Sequence, residues 1–318
     1  MREIIEQCIS KAKASNKVSL AIVGSTAKYN NPPFVIGPLK ESEKFVGSSF
    51  ITKDLNHFKE ICRYADGKVD YLFIDVEAKT EPPIDFLAEA ELWVKKSKIK
   101  TFKGNDITAL ACDLLVSEIV GDLKGKKVSI IGAGNIGSKV AVKLVERGAE
   151  VYITRRDNKS EILAEAINMM KTRYTSGTVY SENNHALSAK DADVLIGFTQ
   201  GYPAINGSMV SSLSPNALVI DGGVGNVTEE AIAKAKELGL KMFRLDVRIA
   251  LPFILDSILS TEHFINQIAG TCTINGKTYV AGGILGALGD IVVANIKSPT
   301  SIIGTADGKG GILQYFKE

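Results

Sequence analysis

Lys127-Val128-Ser129-Ile130-Ile131-Gly132-Ala133-Gly134-Asn135-Ile136-Gly137 decides how this chain folds. A short apolar run enters a Gly-x-Gly-x-x-Gly turn, an amphipathic helix follows, and a second apolar run begins near Glu150. The glycine pattern carries little weight by itself; strand before, helix after and strand again give it a mechanism. The first glycine permits a tight turn, the second lets backbone approach a pyrophosphate, and the third lets the helix close on the strand. The helix N-terminus supplies free N–H groups and the positive dipole end. Gly132, Gly134, Asn135, Ile136 and Gly137 are therefore expected to bind a dinucleotide.

The next strand ends Val151-Tyr152-Ile153-Thr154-Arg155-Arg156. An acid at about this position would hold both ribose hydroxyls of NAD. Two guanidiniums instead favour a 2′-phosphate through charge-assisted bonds. Thr154, Arg155 and Arg156 are thus assigned to cofactor binding, and the cofactor expected is NADP.

Working outward, strands are expected over 127–131, 150–154, 178–180, 194–198, 218–221 and 241–245. On the N-terminal side, strands over 18–23 and 69–76 alternate with helices over 55–64 and 84–96. A continuous apolar stripe, Ile107, Leu110, Ala111, Leu114, Leu115 and Ile119, predicts a long connecting helix over 106–120, ended by Gly121. Beyond Asp246 we expect a helix over 250–259, a hairpin around Asn275-Gly276 and a helix over 288–296. The fold class is α/β in two domains. Residues 1–121 form an α/β substrate domain, 122–247 a Rossmann domain, and 248–318 a segment returning to the first domain.

The stretch Ala192-Asp193-Val194-Leu195-Ile196-Gly197-Phe198-Thr199-Gln200-Gly201-Tyr202-Pro203-Ala204-Ile205, followed by Pro215-Asn216-Ala217-Leu218-Val219-Ile220-Asp221-Gly222-Gly223, resembles the methylenetetrahydrofolate dehydrogenase/cyclohydrolase family. Ala281-Gly282-Gly283-Ile284 and Ala294-Asn295 resemble its closing segment. The resemblance implies that Thr199, Gln200 and Gly222 lie on the nicotinamide side of the cofactor. Lys103-Gly104-Asn105-Asp106 and the downstream cofactor entry also resemble shikimate dehydrogenases, and Gly104-Asn105-Asp106-Ile107-Thr108-Ala109 resembles methylene-tetrahydromethanopterin dehydrogenases. Laid on the folate family's catalytic loop, Phe34 takes the tyrosine position and Pro38 the lysine position, which implies dehydrogenation without cyclohydrolase activity.

Loops after strands facing the crevice bind ligands in such sheets. Ser25, Thr26 and Lys28 follow the first strand, Asp75 ends the next, and Asn105 opens the connecting helix; these are the expected substrate residues. Lys79 and Asp106 are the expected catalytic pair, on opposite walls, since a lysine in a closed cleft can exchange a proton near neutrality. Lys28, Lys40 and Lys53 are rivals to Lys79. The run Lys95, Lys96, Lys98, Lys100 and Lys103 reads as a solvated helix end.

With 38 basic and 36 acidic residues the net charge is +2, which argues against a nucleic-acid partner. No apolar run reaches the roughly 20 residues of a membrane helix. Cys8, Cys62, Cys112 and Cys272 form no metal or disulfide pattern, and His57, His185 and His263 are scattered, so no metal is expected and a cytoplasmic location fits. The reading is an NADP-dependent oxidoreductase passing hydride to or from a small substrate between domains. The best guess is a methylene-tetrahydropterin dehydrogenase. The alternatives are a shikimate-dehydrogenase-like hydroxy- or amino-acid dehydrogenase and a non-catalytic NADP-binding redox sensor. A homodimer is allowed by the resemblance.

Overall fold

The computed structural model describes residues 1–27, 31–157 and 159–313. Its packing divides into two compact units, Met1–Ile254 and Leu255–Glu318.

The first unit opens with α1 (Arg2–Ala14), β1 (Val18–Gly24), β2 (Phe34–Glu41), β3 (Phe45–Thr52), α2 (Leu55–Ala65), β4 (Tyr71–Asp75), α3 (Phe86–Trp93) and β5 (Lys98–Phe102). Its sheet has the order β2-β3-β1-β4-β5, parallel throughout except for β2, which runs antiparallel on β3. Ile5, Phe50, Phe58, Ile61, Leu72 and Ile74 share one core cluster. Because the central strands are parallel, Gly24 and Asp75 finish on the same edge, where connecting loops can converge.

Three strands here go beyond the alternation read from the sequence. On β2, Pro38 sits at an irregularity between Gly37 and Lys40, and an edge strand can accommodate that missing N–H. β3 is central yet carries Gly47, Ser48 and Ser49, small residues that hide a buried strand from a hydrophobicity reading. A Cβ on Gly47 would lie 2.6 Å from Ile22 Cδ1, so the small residue is a packing requirement. β5 contains Lys98 and Lys100, and the lysine run continues along a sheet edge rather than a helix end. Charged edges of this kind discourage pairing with another chain.

α4 (Gly104–Val120) then leads to β6 (Lys127–Ile131), α5 (Asn135–Glu146), β7 (Glu150–Thr154), α6 (Ser160–Met170), β8 (Val179–Ser181), α7 (His185–Ala189), β9 (Val194–Gly197), α8 (Gly207–Ser211), β10 (Leu218–Asp221), α9 (Glu229–Glu237) and β11 (Lys241–Arg244). These strands form one parallel sheet, β11-β10-β9-β6-β7-β8. It is the doubly wound dinucleotide-binding order, with its switch point between β6 and β9. The α/β class and this Rossmann-type sheet agree with the sequence reading.

α10 (Leu251–His263) crosses into the second unit, which holds β12 (Gly270–Ile274), β13 (Lys277–Ala281), β14 (Ile291–Val293), β15 (Ile302–Ala306) and β16 (Ile312–Leu313) in a sheet of that order. Asn275 and Gly276 both take positive φ, 50° and 75°, and close the expected hairpin. The helix expected over 288–296 is absent. Gly289 takes φ +91°, Asp290 Oδ2 accepts from Ala287 N at 2.8 Å, and the β-branched run that follows pairs as β14. Among the described residues no helix is long and apolar enough to cross a membrane.

Arg147, just past α5, grips the nearly buried Asp113 of α4 through Nε at 2.6 Å and Nη2 at 2.9 Å. Asp113→Ala should destabilise the protein by about 1–2 kcal/mol, since the Arg147 side of the pair is partly screened by water. Urea unfolding of variant and parent checks this.

Candidate functional site

The turn from β6 to α5 has the three properties its glycines suggested. Gly132 takes φ +94°, and a Cβ there would lie 2.6 Å from the Phe198 carbonyl oxygen. At Gly137 it would lie 2.6 Å from the Gly132 carbonyl oxygen, so helix and strand close directly on each other. At Gly134 it would meet nothing within 4 Å. The open space stands over the α5 N-terminus, whose cap, Gly134, has no side chain to satisfy the first N–H groups. Thr154 fixes the turn from behind: its Oγ1 accepts from Gly132 N at 3.1 Å and its carbonyl from Ala133 N at 2.8 Å. A pyrophosphate fits this cradle on both space and donors.

Arg155 and Arg156 differ in their surroundings. Arg155 lies against the turn, donating from Nη1 to the Ala133 carbonyl at 2.6 Å. Its Nε and Nη2 both donate to the Asp157 carboxylate, the first at 2.8 Å. That guanidinium holds the Asp157 carboxyl far below the usual carboxylate range. Arg156 is exposed. Asp157 follows the two arginines and has no motif of its own in the sequence.

Beyond β9 and β10, one residue organises both loops. Asn226 is fully buried, and its Oδ1 accepts from Thr199 N at 3.1 Å, Thr199 Oγ1 at 2.8 Å and Gly201 N at 3.0 Å. Its Nδ2 donates to the Gly197 carbonyl at 2.9 Å and to Asp221 Oδ1 at 2.7 Å. Asp221 in turn accepts from Gly223 N and Gly225 N. Gln200 and Val224 take φ of 57° and 60°; for the β-branched Val224 this is a strained conformation that the surrounding bonds must hold. A side chain on Gly222 would collide with the Phe198 ring. Asn226 carried no signal in the sequence, because its role depends on two loops meeting.

At the first sheet's edge, Asp75 is 2% exposed. Its Oδ2 accepts from Lys79 Nζ at 2.6 Å, and its Oδ1 from Glu77 N at 3.1 Å and Gly104 N at 3.2 Å. Glu77 Oε2 pairs with Lys79 at 3.1 Å and accepts from Asn105 N at 2.6 Å, so both carboxylates face the positive end of α4. Ser25 Oγ donates to the Glu77 carbonyl at 3.3 Å, and Thr26 follows, half-buried. Lys28 lies outside the described residues. Lys40 pairs at the level of Gly47 and Leu20, towards the start of β1 and away from this edge. Lys53 directly follows β3, whose Ile51 pairs with Gly24.

Asp106 sits beside this cluster rather than on an opposite wall. Lys139 of α5 pairs with both Asp106 and, at 3.5 Å, Glu77; Lys103 takes the other Asp106 oxygen at 2.6 Å. Burial raises the Asp106 pKa, and hydrogen bonds from Lys103 and Lys139 more than offset this, leaving it below its ordinary value. An acid held ionised by two lysines is a structural anchor more readily than a proton donor. Asn105 Nδ2 donates to Asn135 Oδ1 at 3.0 Å, joining the first-sheet cluster to the glycine turn. Glu77 and Lys139 belong to the cluster and were not singled out from sequence.

The shikimate / quinate 5-dehydrogenase family model matches residues 114–242, a part of the chain that contains the glycine turn. Over 183 residues the chain is 25% identical to a shikimate dehydrogenase (NADP(+)) of Methanococcus aeolicus, covering 56% of this chain and 60% of that protein. It is 27% identical to the bifunctional protein FolD of Sphingobium chlorophenolicum over 139 residues, 40% of this chain and 36% of that one. The chain therefore spans less than two thirds of these curated relatives. A crystal structure of a shikimate dehydrogenase with NADP+ aligns over 76% of this chain and 90% of that one, with 15% identity and a TM-score of 0.45.

Asn226→Ala should remove bonds from both loops at once and cost about 2–4 kcal/mol, as losses in buried polar networks do. Thermal and urea unfolding measure it. At Gly104, a Cβ would stand 2.7 Å from both Asp75 Oδ2 and Lys79 Nζ. Gly104→Ala should therefore crowd the ion pair and destabilise the protein by about 1–3 kcal/mol, which urea unfolding of variant and parent measures.

Proposed function

We propose that this protein is an NADP-dependent oxidoreductase acting on a small polar metabolite, of the hydroxy- or amino-acid kind that shikimate-dehydrogenase-like enzymes take. The observation that carries the reading is the Asn105–Asn135 contact, which sets a half-buried, carboxylate-held lysine beside an open dinucleotide cradle. The family match over residues 114–242 and the NADP(+)-named relative support this class over the folate one.

In this reading Gly132, Gly134, Asn135, Ile136 and Gly137 hold the pyrophosphate, Thr154, Arg155 and Arg156 the adenosine 2′-phosphate, and Thr199, Gln200 and Gly222 the nicotinamide end. The cofactor would supply the hydride acceptor or donor. Asp75 and Glu77 fix the Lys79 ammonium so that an N–H can point at the substrate oxygen, hold it and exchange its proton. Ser25, Thr26 and Asn105 orient the substrate's remaining polar groups, with Lys28 a further candidate. Asp106 braces α4 against α5 through Lys139. Four free cysteines fit a reducing cytoplasm.

A methylene-tetrahydropterin substrate is the second reading, favoured by the FolD similarity. Phe34 stacks on His57 at 4.7 Å and Pro38 sits in the edge strand, so neither position offers a proton-transfer group. Methenyl-tetrahydrofolate should therefore not be hydrolysed at an enzymatic rate.

NADP+ should bind more tightly than NAD+, and the preference should shrink in the Arg155→Ala/Arg156→Ala double variant, each phosphate contact being worth about 1.5–3 kcal/mol. A wild type that prefers NAD+ would overturn the cofactor assignment. A screen of hydroxy acids, amino acids and tetrahydropterins for NADPH formation separates the substrate classes; binding without turnover on any of them would favour a sensor. On the substrate so found, Lys79→Met should lower turnover about 10²–10⁴-fold with NADP affinity nearly unchanged.

A further inference from the structure

We infer that Asp157 sets the cofactor preference by competing with the 2′-phosphate for Arg155. The inference rests on the dinucleotide reading above and adds a residue which that reading does not use. All three guanidinium nitrogens are engaged, Nη1 with the Ala133 carbonyl, and Nε and Nη2 with the two Asp157 oxygens, which leaves one further N–H on each of Nη1 and Nη2. The first contact locks Arg155 to the glycine turn, which places a positive charge where the adenosine end of a dinucleotide leaves the pyrophosphate. The second pair fills one full edge of the fork with a carboxylate, the same planar two-oxygen shape that a phosphate offers.

An incoming 2′-phosphate therefore meets two opposing effects at one side chain. The guanidinium attracts it, while an adjacent carboxylate both occupies two of the donors and repels a second anion. Binding requires Asp157 to yield those donors or the phosphate to accept the remaining ones next to a like charge. Neither effect touches NAD+, which has no phosphate there. Asp157, three residues beyond the end of β7, is 44% exposed on its side chain and can turn to solvent without opening the core. The pair thus preorganises Arg155 for phosphate and holds the affinity for it below what the arginine alone would give.

Isothermal titration with NADP+ and NAD+, on wild type, Asp157→Asn and Asp157→Ser, tests this without any substrate. Melting temperatures identify a variant that has lost its fold, and the exposed site makes both variants expected to retain it. Removing the carboxylate should tighten NADP+ by about fivefold, the upper end for one surface charge pair, with NAD+ within about twofold. The gain should shrink in high salt, as repulsion between exposed charges does. Unchanged or weaker NADP+ binding in both variants overturns the inference while leaving the dinucleotide reading intact. Loss of NAD+ affinity with no NADP+ gain makes Asp157 a ribose ligand and overturns it as well. No binding of either dinucleotide to any of the three proteins rejects the dinucleotide reading and this inference together.

Discussion

The arrangement at the edge of the first sheet depends on the positive end of one helix. α4 starts at Gly104 with no side-chain cap of its own, and the carboxylates of Asp75 and Glu77 accept from its first N–H groups. Those same two carboxylates hold Lys79. A capping need at the helix start therefore becomes a means of burying charge at the end of β4: the carboxylates satisfy the helix, and the ammonium balances the carboxylates. Gly104 has no Cβ because the space it would fill is taken by the ion pair.

The second sheet was legible almost strand by strand. Its central strands β6, β9 and β10 are buried nearly throughout, so each reads as a short apolar run, and the glycine spacing fixes where the first one ends; the edge strands β8 and β11 are more exposed. The first sheet was less legible, and each miss has a physical cause. β3 buries Ser48 and Gly47, the glycine packing against Ile22 across the sheet, and β5 is an edge strand carrying Lys98 and Lys100. The expected helix near residue 290 failed because Gly286 and Gly289 precede a β-branched run, which favours a turn and strand pairing over helix.

At the site, motif residues could be read and hub residues could not. Gly132, Gly134 and Gly137 announce themselves by spacing, and Arg155 by position after β7. Asn226, Glu77, Lys139 and Asp157 are ordinary polar residues until the chain brings their partners to them. Lys79 was expected in the loop after the 69–76 strand and Asp106 at the start of the connecting helix, on opposite walls; the structure instead sets them side by side. Glu77 and Lys139 join them into one alternating row of charges instead of leaving them face to face.

α4 is fastened to the glycine-turn side at both ends: Asn105 meets Asn135 at its start, and Asp113 meets Arg147 further along. A beam pinned at two points cannot pivot freely about either one. Any movement of the first sheet against the second would therefore carry α4 along with the second sheet, and the give would come where the first sheet's loops meet the helix start. The bonds from Asp75 and Glu77 to Gly104 and Asn105 lie on that line, so the contacts that hold the lysine are also the ones an opening motion would load first.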